Sequence, residues 1–218
     1  MTLTLLILLG AVVTLDGVTV GQFMISRPLV AAALAGALLG DPATGLVVGA
    51  ILEGFLLVAV PSGGGRFPEP GHAAVVAAAA AVSTGGGAGL ALGVAAGLLF
   101  GWVGALTQTV QRELNGRWTP DPSEGPVTAR AVVRGHLFSI GVDAVRGAAL
   151  TGVGLAAVAL LSPWFVRGWD LGLAETRAVL LLGVFVSLGI VARTLLHHRR
   201  WVALVLGLVA GFALGGAA

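Results

Sequence analysis

The sequence contains no cysteine and no lysine, and few of its side chains carry a charge. Without cysteine the chain can form no disulfide, no thiolate metal site and no cysteine nucleophile. Only 10% of its 218 residues are charged, whereas 57% are hydrophobic and the mean hydropathy is +1.00. A water-soluble domain of this length needs far more polar surface, so the composition predicts an integral membrane protein. The net charge of +2 gives no indication of a nucleic-acid partner.

The apolar stretches of the first half are short, and they are interrupted by glycine and proline around 16–28 and 61–71. Several are shorter than the roughly 20 residues that a helix needs to cross the hydrocarbon core. Such segments are typical of broken or re-entrant helices, whose irregular backbone lines a cavity inside a transporter. We therefore predict an all-α, polytopic membrane protein with broken or re-entrant helices and the substrate site in its N-terminal half. The apolar start lacks a basic segment, so we expect mature protein rather than a cleaved signal peptide.

A polar stretch, residues 111–136, separates two apolar parts of the chain. We interpret it as a long loop between an N-terminal membrane bundle, 1–110, and a C-terminal membrane bundle, 137–218. Arginine is frequent in this stretch and again at 193–200, and it is less frequent at 163–177. Because cytoplasmic loops are enriched in arginine, we predict that 111–136 is cytoplasmic and that 163–177 lies on the other side. Three membrane crossings after residue 136 fit this pattern.

Glycine recurs at every fourth position from Gly85 to Gly101, and again from Gly207 to Gly215. This spacing places the glycines on one helical face, where another backbone can approach closely. The pattern predicts tight helix packing, with a partner helix in this chain or in another.

Glu53 is the clearest charged residue within an apolar stretch. A charge there costs about 2.5 to 3.5 kcal/mol on insertion scales, so it needs a compensating role. Gly45, Gly49 and Glu53 share one helical face, which indicates a close-packed polar cavity. An ionised carboxylate accepts hydrogen bonds from hydroxyl groups and suits a sugar ligand. The alternative is a structural hydrogen bond to an unpaired backbone amide of a broken helix.

Asp16 and Gln22 are the first polar candidates along the chain. Gln22 offers donors and an acceptor, as sugar recognition needs. For both residues, ligand binding and a structural role stay open. Ser26 is a candidate cap for the helix that Pro28 begins. Arg27 is a candidate for binding an anion or for anchoring the chain at the membrane interface.

The segment 61–72 is too rich in glycine and proline to form a helix. Its glycines lack the Gly-Lys-Ser/Thr ending of a phosphate loop, which gives no support for nucleotide binding. Glu69 and His72 are candidates for lining a substrate path, or for lying in a solvated turn. Arg66 is a second candidate for contacting an anion or the membrane interface.

Three further charged positions have simple structural interpretations. Asp143 and Arg146 are three residues apart and predict an ion pair on one helix. The neighbouring His197 and His198 point to different helix faces, which indicates an interfacial cluster rather than a metal site. We expect no metal, no cofactor and no catalytic side chain in this protein.

Four motifs in order resemble the enzyme IIC subunit of the mannose/fructose/sorbose family of phosphotransferase system (PTS) permeases. The first is Gln22-Phe-Met-Ile-Ser-Arg-Pro-Leu-Val30, and the second is Leu38-Leu-Gly-Asp41-Pro-Ala-Thr44-Gly45. The third is Gly49-x-x-x-Glu53, and the fourth is a glycine-rich loop that ends in Pro68-Glu69. The resemblance covers about residues 15–82.

The resemblance implies a multi-pass protein of the bacterial inner membrane that carries a hexose or related sugar. It implies a trimer of heterodimers with a similarly folded enzyme IID, an elevator-like movement, and sugar phosphorylation by cytoplasmic enzyme IIB. Enzyme IIA is a further expected partner. The polar motif of the family falls on Asp16 and Gln22, its buried glutamate on Glu53, and its proline-acid loop on Glu69. The chain itself would carry no phosphoryl group.

Two other functions stay open from the sequence. One is a IIC-like membrane scaffold or regulatory subunit that does not transport. The other is an unrelated channel for small solutes.

Overall fold

The computed structural model describes residues 1–57, 65–195 and 205, and within these residues every regular element is a helix. One short 3-10 helix, Pro122–Glu124, accompanies the α-helices. The α-helices of this described part are α1 (Thr2–Val18), α2 (Pro28–Leu38), α3 (Pro42–Leu56), α4 (Pro70–Thr84), α5 (Gly86–Trp118), α6 (Ala129–Gly168) and α7 (Leu173–Leu195).

The first four helices are short and the later ones are long. Helices α1 to α4 contain 17, 11, 15 and 15 residues, below the roughly 20 residues of a full crossing. The segments Gly86–Trp118, Ala129–Gly168 and Leu173–Ile190 are long and apolar enough to cross a membrane. The prediction of an all-α membrane protein with broken helices in its first half is therefore confirmed.

Helices α2 and α3 form a tight hairpin. Proline stands in the first turn of each helix, and the Asp41 side chain caps α3 by accepting a hydrogen bond from Thr44 N at 2.9 Å. A Cβ atom at Gly45 would overlap the Ala32 carbonyl oxygen, and one at Gly49 would lie 2.6 Å from the Pro28 carbonyl oxygen. The glycine face of α3 thus lies directly on the α2 backbone.

Helices α4 and α5 form a second hairpin, which the sequence analysis did not predict. The apolar run breaks at Gly85 and Gly86, whose φ angles of 72° and 60° are readily adopted only by glycine. Cβ atoms at Gly89 and Gly93 would lie 2.6 Å and 2.7 Å from carbonyl oxygens of α4. The predicted tight packing of the Gly85–Gly101 repeat is confirmed from Gly89 onward: Gly89 and Gly93 face α4, and Gly97 faces both α4 and Leu52 of α3.

The polar stretch 111–136 forms a shorter loop than predicted. Helix α5 continues to Trp118 and α6 begins at Ala129, where the Thr128 side chain caps it. Glutamine, arginine, glutamate and leucine are good helix formers, and no proline lies between Gly86 and Pro120. Helix α5 therefore continues past the apolar region. Helix α6 likewise continues through Pro163, which leaves 169–172 as the next connection.

Helix α6 packs against α1, α4 and α5. A Cβ atom at Gly147 would lie 2.5 Å from the Thr14 hydroxyl oxygen, so α1 and α6 cross at close range. At about 1.5 Å per residue, its 40 residues span about 60 Å, and its two connections lie at opposite ends. The division into two membrane bundles at 111–136, and the cytoplasmic side of that stretch, stay predictions. The last predicted crossing, His197, His198 and the Gly207–Gly215 repeat lie outside the described residues.

Candidate substrate cleft

A cleft of about 550 Å³ lies where the end of α1, the 19–27 loop, the segment before α4 and the C-terminal part of α5 meet. We call it the N-terminal cleft. Its volume falls within the range of small-molecule sites, about 300 to 1,000 Å³. It brings together Asp16, Gln22, Arg27 and Glu69, which the sequence analysis selected separately. The remaining lining residues are Gly17, Val18, Met24, Ser26, Phe67, Pro68, Pro70, Gln108 and Arg112.

Asp16 fixes the shape of the 19–27 loop. Its side chain is 3% exposed, and its two oxygens accept hydrogen bonds from Phe23 N at 2.6 Å and Ser26 N at 2.8 Å. Gln22 and Met24 in this loop have φ angles of 54° and 65°, which are uncommon for residues other than glycine. Both carboxylate oxygens of Asp16 therefore hold a strained loop in one conformation.

Gln22 is exposed on this loop and lines the cleft. Among the described residues, its side-chain amide has no hydrogen-bond partner within the protein. Its donors and acceptor are therefore free for a ligand. Asp16 holds the loop that carries Gln22, and Gln22 itself lies at a strained backbone position.

Glu53 stabilises the start of α2. Its carboxylate forms an ion pair with Arg27 and accepts a hydrogen bond from Leu29 N at 3.2 Å. Leu29 lies in the first turn of α2, whose amides have no partner within the helix. The prediction that Ser26 caps α2 is wrong: Arg27 is the N-cap residue and makes no side-chain cap bond. Glu53 satisfies the helix end instead, by accepting the hydrogen bond from the Leu29 amide.

Glu53 does not line the N-terminal cleft. It lines an adjoining space of about 20 Å³ together with Arg27, Pro28, Leu56, Pro68 and Pro70. This space is too small for a sugar. Arg27 lines both spaces, so Glu53 acts on the cleft only by holding Arg27 in an ion pair.

Glu69 forms a bidentate ion pair with Arg146 of α6. The two pairs of atoms are 2.7 Å and 2.8 Å apart, and Glu69 is only 6% exposed. The Glu69 amide also donates to the Gly101 carbonyl oxygen at 2.9 Å. The segment before α4 is thereby fixed to α5 and α6 at the cleft wall.

Arg146 is shared between two carboxylates. It also donates to Asp143 Oδ1, at 3.0 Å from Nε and 2.8 Å from Nη2, which confirms the predicted ion pair. Asp143 Oδ2 accepts a hydrogen bond from the Thr19 hydroxyl of the loop after α1. The cluster of Glu69, Arg146, Asp143 and Thr19 therefore joins three parts of the chain: the loop after α1, the start of α4 and α6. Sequence analysis did not predict the pairing of Glu69 with Arg146, because the two residues are far apart along the chain.

His72 is fully buried and does not line the N-terminal cleft. Its Nε2 atom lies 3.0 Å from the Phe100 carbonyl oxygen, and its Nδ1 atom lies 3.9 Å from Glu69 Oε2. Gly104 faces this ring, and a Cβ atom there would overlap it. Arg66 is exposed and also lies outside the cleft lining.

Sequence analysis missed Gln108 and Arg112, which line the cleft from α5. Arg112 donates to Gln108 Oε1 at 3.2 Å and to the Gly65 carbonyl oxygen at 3.3 Å. Their spacing of four on a helix that is apolar up to that point is the signal that would have found them.

The cleft presents amide and guanidinium groups, while the carboxylates around it are largely engaged within the protein. Such a lining suits the hydroxyl groups of a neutral polar ligand. Within residues 1–57 and 65–195, no cluster of histidine, aspartate and glutamate could hold a metal ion.

The fold is similar to that of a solved structure. A chain described as "Structure of membrane protein" superposes with a TM-score of 0.75 at 20% sequence identity. The match covers 99% of this chain and 91% of that chain. No curated protein matches the sequence. The family described as "PTS system sorbose-specific iic component" matches residues 1–121, which include all the lining residues of the N-terminal cleft. The chain therefore belongs to the sorbose-specific IIC family of PTS sugar permeases.

Proposed function

We propose that this chain is the sugar-translocating subunit of a PTS permease and that a hexose or related sugar binds in the N-terminal cleft. The observation that carries the proposal is the meeting of Asp16, Gln22, Arg27 and Glu69 at one cleft within the family-matched region. The cleft volume of about 550 Å³ accommodates a monosaccharide with water.

Gln22, Gln108 and Arg112 are the proposed sugar-binding groups. Gln22 has a free amide, and Gln108 and Arg112 approach the same cleft from α5. A sugar hydroxyl both donates and accepts, so amides can bind it in either direction.

Asp16, Glu53 and Glu69 are proposed to act mainly by positioning these groups. Asp16 sets the loop that carries Gln22, and Glu53 holds Arg27. Glu69 fixes the cleft wall through Arg146, and His72 packs behind it. Asp16 and Glu69 line the cleft, and a carboxylate oxygen can accept a second hydrogen bond from a sugar hydroxyl.

The proposed assembly follows the family. The chain would pair with enzyme IID in a trimer of heterodimers in the bacterial inner membrane. An elevator-like movement would bring the sugar to cytoplasmic enzyme IIB, which enzyme IIA phosphorylates. Arg27 and Arg66 remain candidates for contacting an anion or the membrane interface.

Substitution of Gln22 tests the proposal. A neutral hydrogen bond contributes about 0.5 to 1.5 kcal/mol, so Gln22→Leu should weaken sugar binding about two- to tenfold for each bond lost. Gln22→Asn keeps an amide and tolerates the left-handed conformation, so it should retain more affinity. Uptake of sorbose, fructose and mannose is measured with the IID, IIB and IIA partners co-expressed and normalised to inserted protein.

The result that contradicts the proposed site is equal uptake by Gln22→Leu and wild type for a transported sugar. Absence of uptake of all three sugars by the wild-type complex, with every subunit present, would instead favour a scaffold or regulatory subunit. Thermal stability of both variants is measured alongside, because Leu at a φ of 54° adds backbone strain.

A further inference from the structure

A second polar cavity lies beside the N-terminal cleft. Its volume is about 610 Å³, and it lies between residues 108–120 at the end of α5 and 132–143 at the start of α6. We call it the α5–α6 cavity. Its polar lining includes Thr19, Gln111, Asn115, His136, Ser139 and Asp143.

The two spaces share a wall made of side chains. Val18, Gln108 and Arg112 line both of them. The hydrogen bond between Gln108 and Arg112, at 3.2 Å, lies on this shared wall, and Arg112 also bonds the Gly65 carbonyl oxygen at 3.3 Å. Side chains can change rotamer, so this partition can open without unfolding a helix.

Gln111 provides an independent indication of a ligand in the α5–α6 cavity. It is 7% exposed, and its Oε1 atom is buried without a hydrogen-bond partner among the described residues. An unsatisfied buried acceptor is destabilising, so such atoms are normally paired. Because Gln111 lines the cavity, a rotamer change of its side chain would expose this acceptor to a ligand hydroxyl, which would supply the missing donor. The neighbouring amide, imidazole and hydroxyl groups suit the same kind of ligand.

We propose that the α5–α6 cavity is a second sugar subsite, separated from the N-terminal cleft by the Gln108–Arg112 pair. The inference rests on the proposed function of the cleft as the first sugar site. The cavity extends from Asp143 of α6 to Pro120 in the connection before that helix. With this connection on the cytoplasmic side, as predicted, a sugar that leaves the cleft enters this cavity before it leaves the protein.

Cysteine reporters test the proposal cleanly, because the chain has no cysteine of its own. Ser139→Cys reports on the α5–α6 cavity, Met24→Cys on the N-terminal cleft, and Ser123→Cys on the exposed connection as a control. Membranes with the co-expressed partner subunits are treated with a small methanethiosulfonate reagent, with and without sorbose, fructose or mannose. At a sugar concentration of about ten times Kd, about a tenth of the binding sites stay free. Ser139→Cys and Met24→Cys should therefore both react about tenfold more slowly. The control should react at an unchanged rate.

Each outcome decides between the two proposals. Protection of Met24→Cys without protection of Ser139→Cys overturns the second subsite and leaves the first sugar site in place. Failure of all three sugars to protect Met24→Cys overturns the proposed function of the cleft. Gln111→Met removes the unpaired acceptor, so it should reduce protection at Ser139→Cys while protection at Met24→Cys persists. Full protection at Ser139→Cys in this variant would overturn the subsite, since it would show an indirect effect.

Discussion

Replacing Arg146 with methionine should destabilise the protein more than neutralising either of its carboxylate partners. Arg146 lies between Glu69, which is 6% exposed, and Asp143, which is 1% exposed. Arg146→Met leaves two buried carboxylates without their cation. Glu69→Gln instead leaves one cation beside one carboxylate, so the remaining pair is still neutral.

The magnitudes follow from the two kinds of loss. Breaking a buried ion pair by removing one partner costs about 3 to 5 kcal/mol. A lost hydrogen bond to a charged group costs about 1.5 to 3 kcal/mol, and in Glu69→Gln the amide oxygen still accepts one bond from Arg146. At about 2 to 4 °C per kcal/mol for a chain of this size, Arg146→Met should lower Tm by about 6 to 20 °C. Glu69→Gln should lower it by about 3 to 12 °C on the same scale.

The detergent-solubilised protein is heated to a series of temperatures, and the remaining monomer or complex is measured by size-exclusion chromatography. Arg130→Met serves as the matched control, since Arg130 is exposed at the start of the same helix. A surface substitution there should change stability by no more than about 0.5 kcal/mol. A smaller loss of Tm for Arg146→Met than for Glu69→Gln would refute the charge argument, because it would show that Arg146 is not the compensating cation.

Three other outcomes are expected. Glu53→Leu should lower stability more than Glu53→Gln, because the amide can still accept the Leu29 bond; equal loss in both variants would contradict the capping role. Gly93→Leu should lower Tm, since its Cβ would lie 2.7 Å from the Ala77 carbonyl oxygen, whereas Gly141→Leu, with nothing within 4 Å, should not. In intact cells an impermeant thiol reagent should label Asp170→Cys from outside and leave Ser123→Cys unlabelled; the reverse pattern would contradict the predicted topology.

The short helices of the first half were predictable from local signals. Proline in the first turn of α2 and α3 marks where each helix begins, because its fixed φ suits the first turn and its missing amide is not needed there. Helix α4 instead begins at Pro70, inside the segment 61–72 that was expected not to be helical, because proline is tolerated in a first turn. The break at Gly85 was missed, because alanine and glycine surround it and hydropathy does not change. Only the conformation of Gly85 and Gly86 distinguishes this turn from a continuous helix.

The candidate residues of the cleft were also predictable, but their roles were not. Asp16, Glu53 and Glu69 stood out because a charge in an apolar stretch needs compensation. Which group supplies that compensation depends on contacts between distant parts of the chain. Glu69 with Arg146, and Asp143 with Thr19, are paired only after α6 has packed against α1, α4 and α5.

The sequence by itself therefore determined a helical membrane protein, its short N-terminal helices and most of the polar residues around one cleft. These features depend on composition and on neighbours within a few residues. The tertiary structure alone decided that Glu53 supports Arg27, that α5 contributes Gln108 and Arg112, and that a second cavity adjoins the first. The physical reason is that burial and hydrogen bonding of a side chain are set by the helices packed around it, which local sequence does not encode.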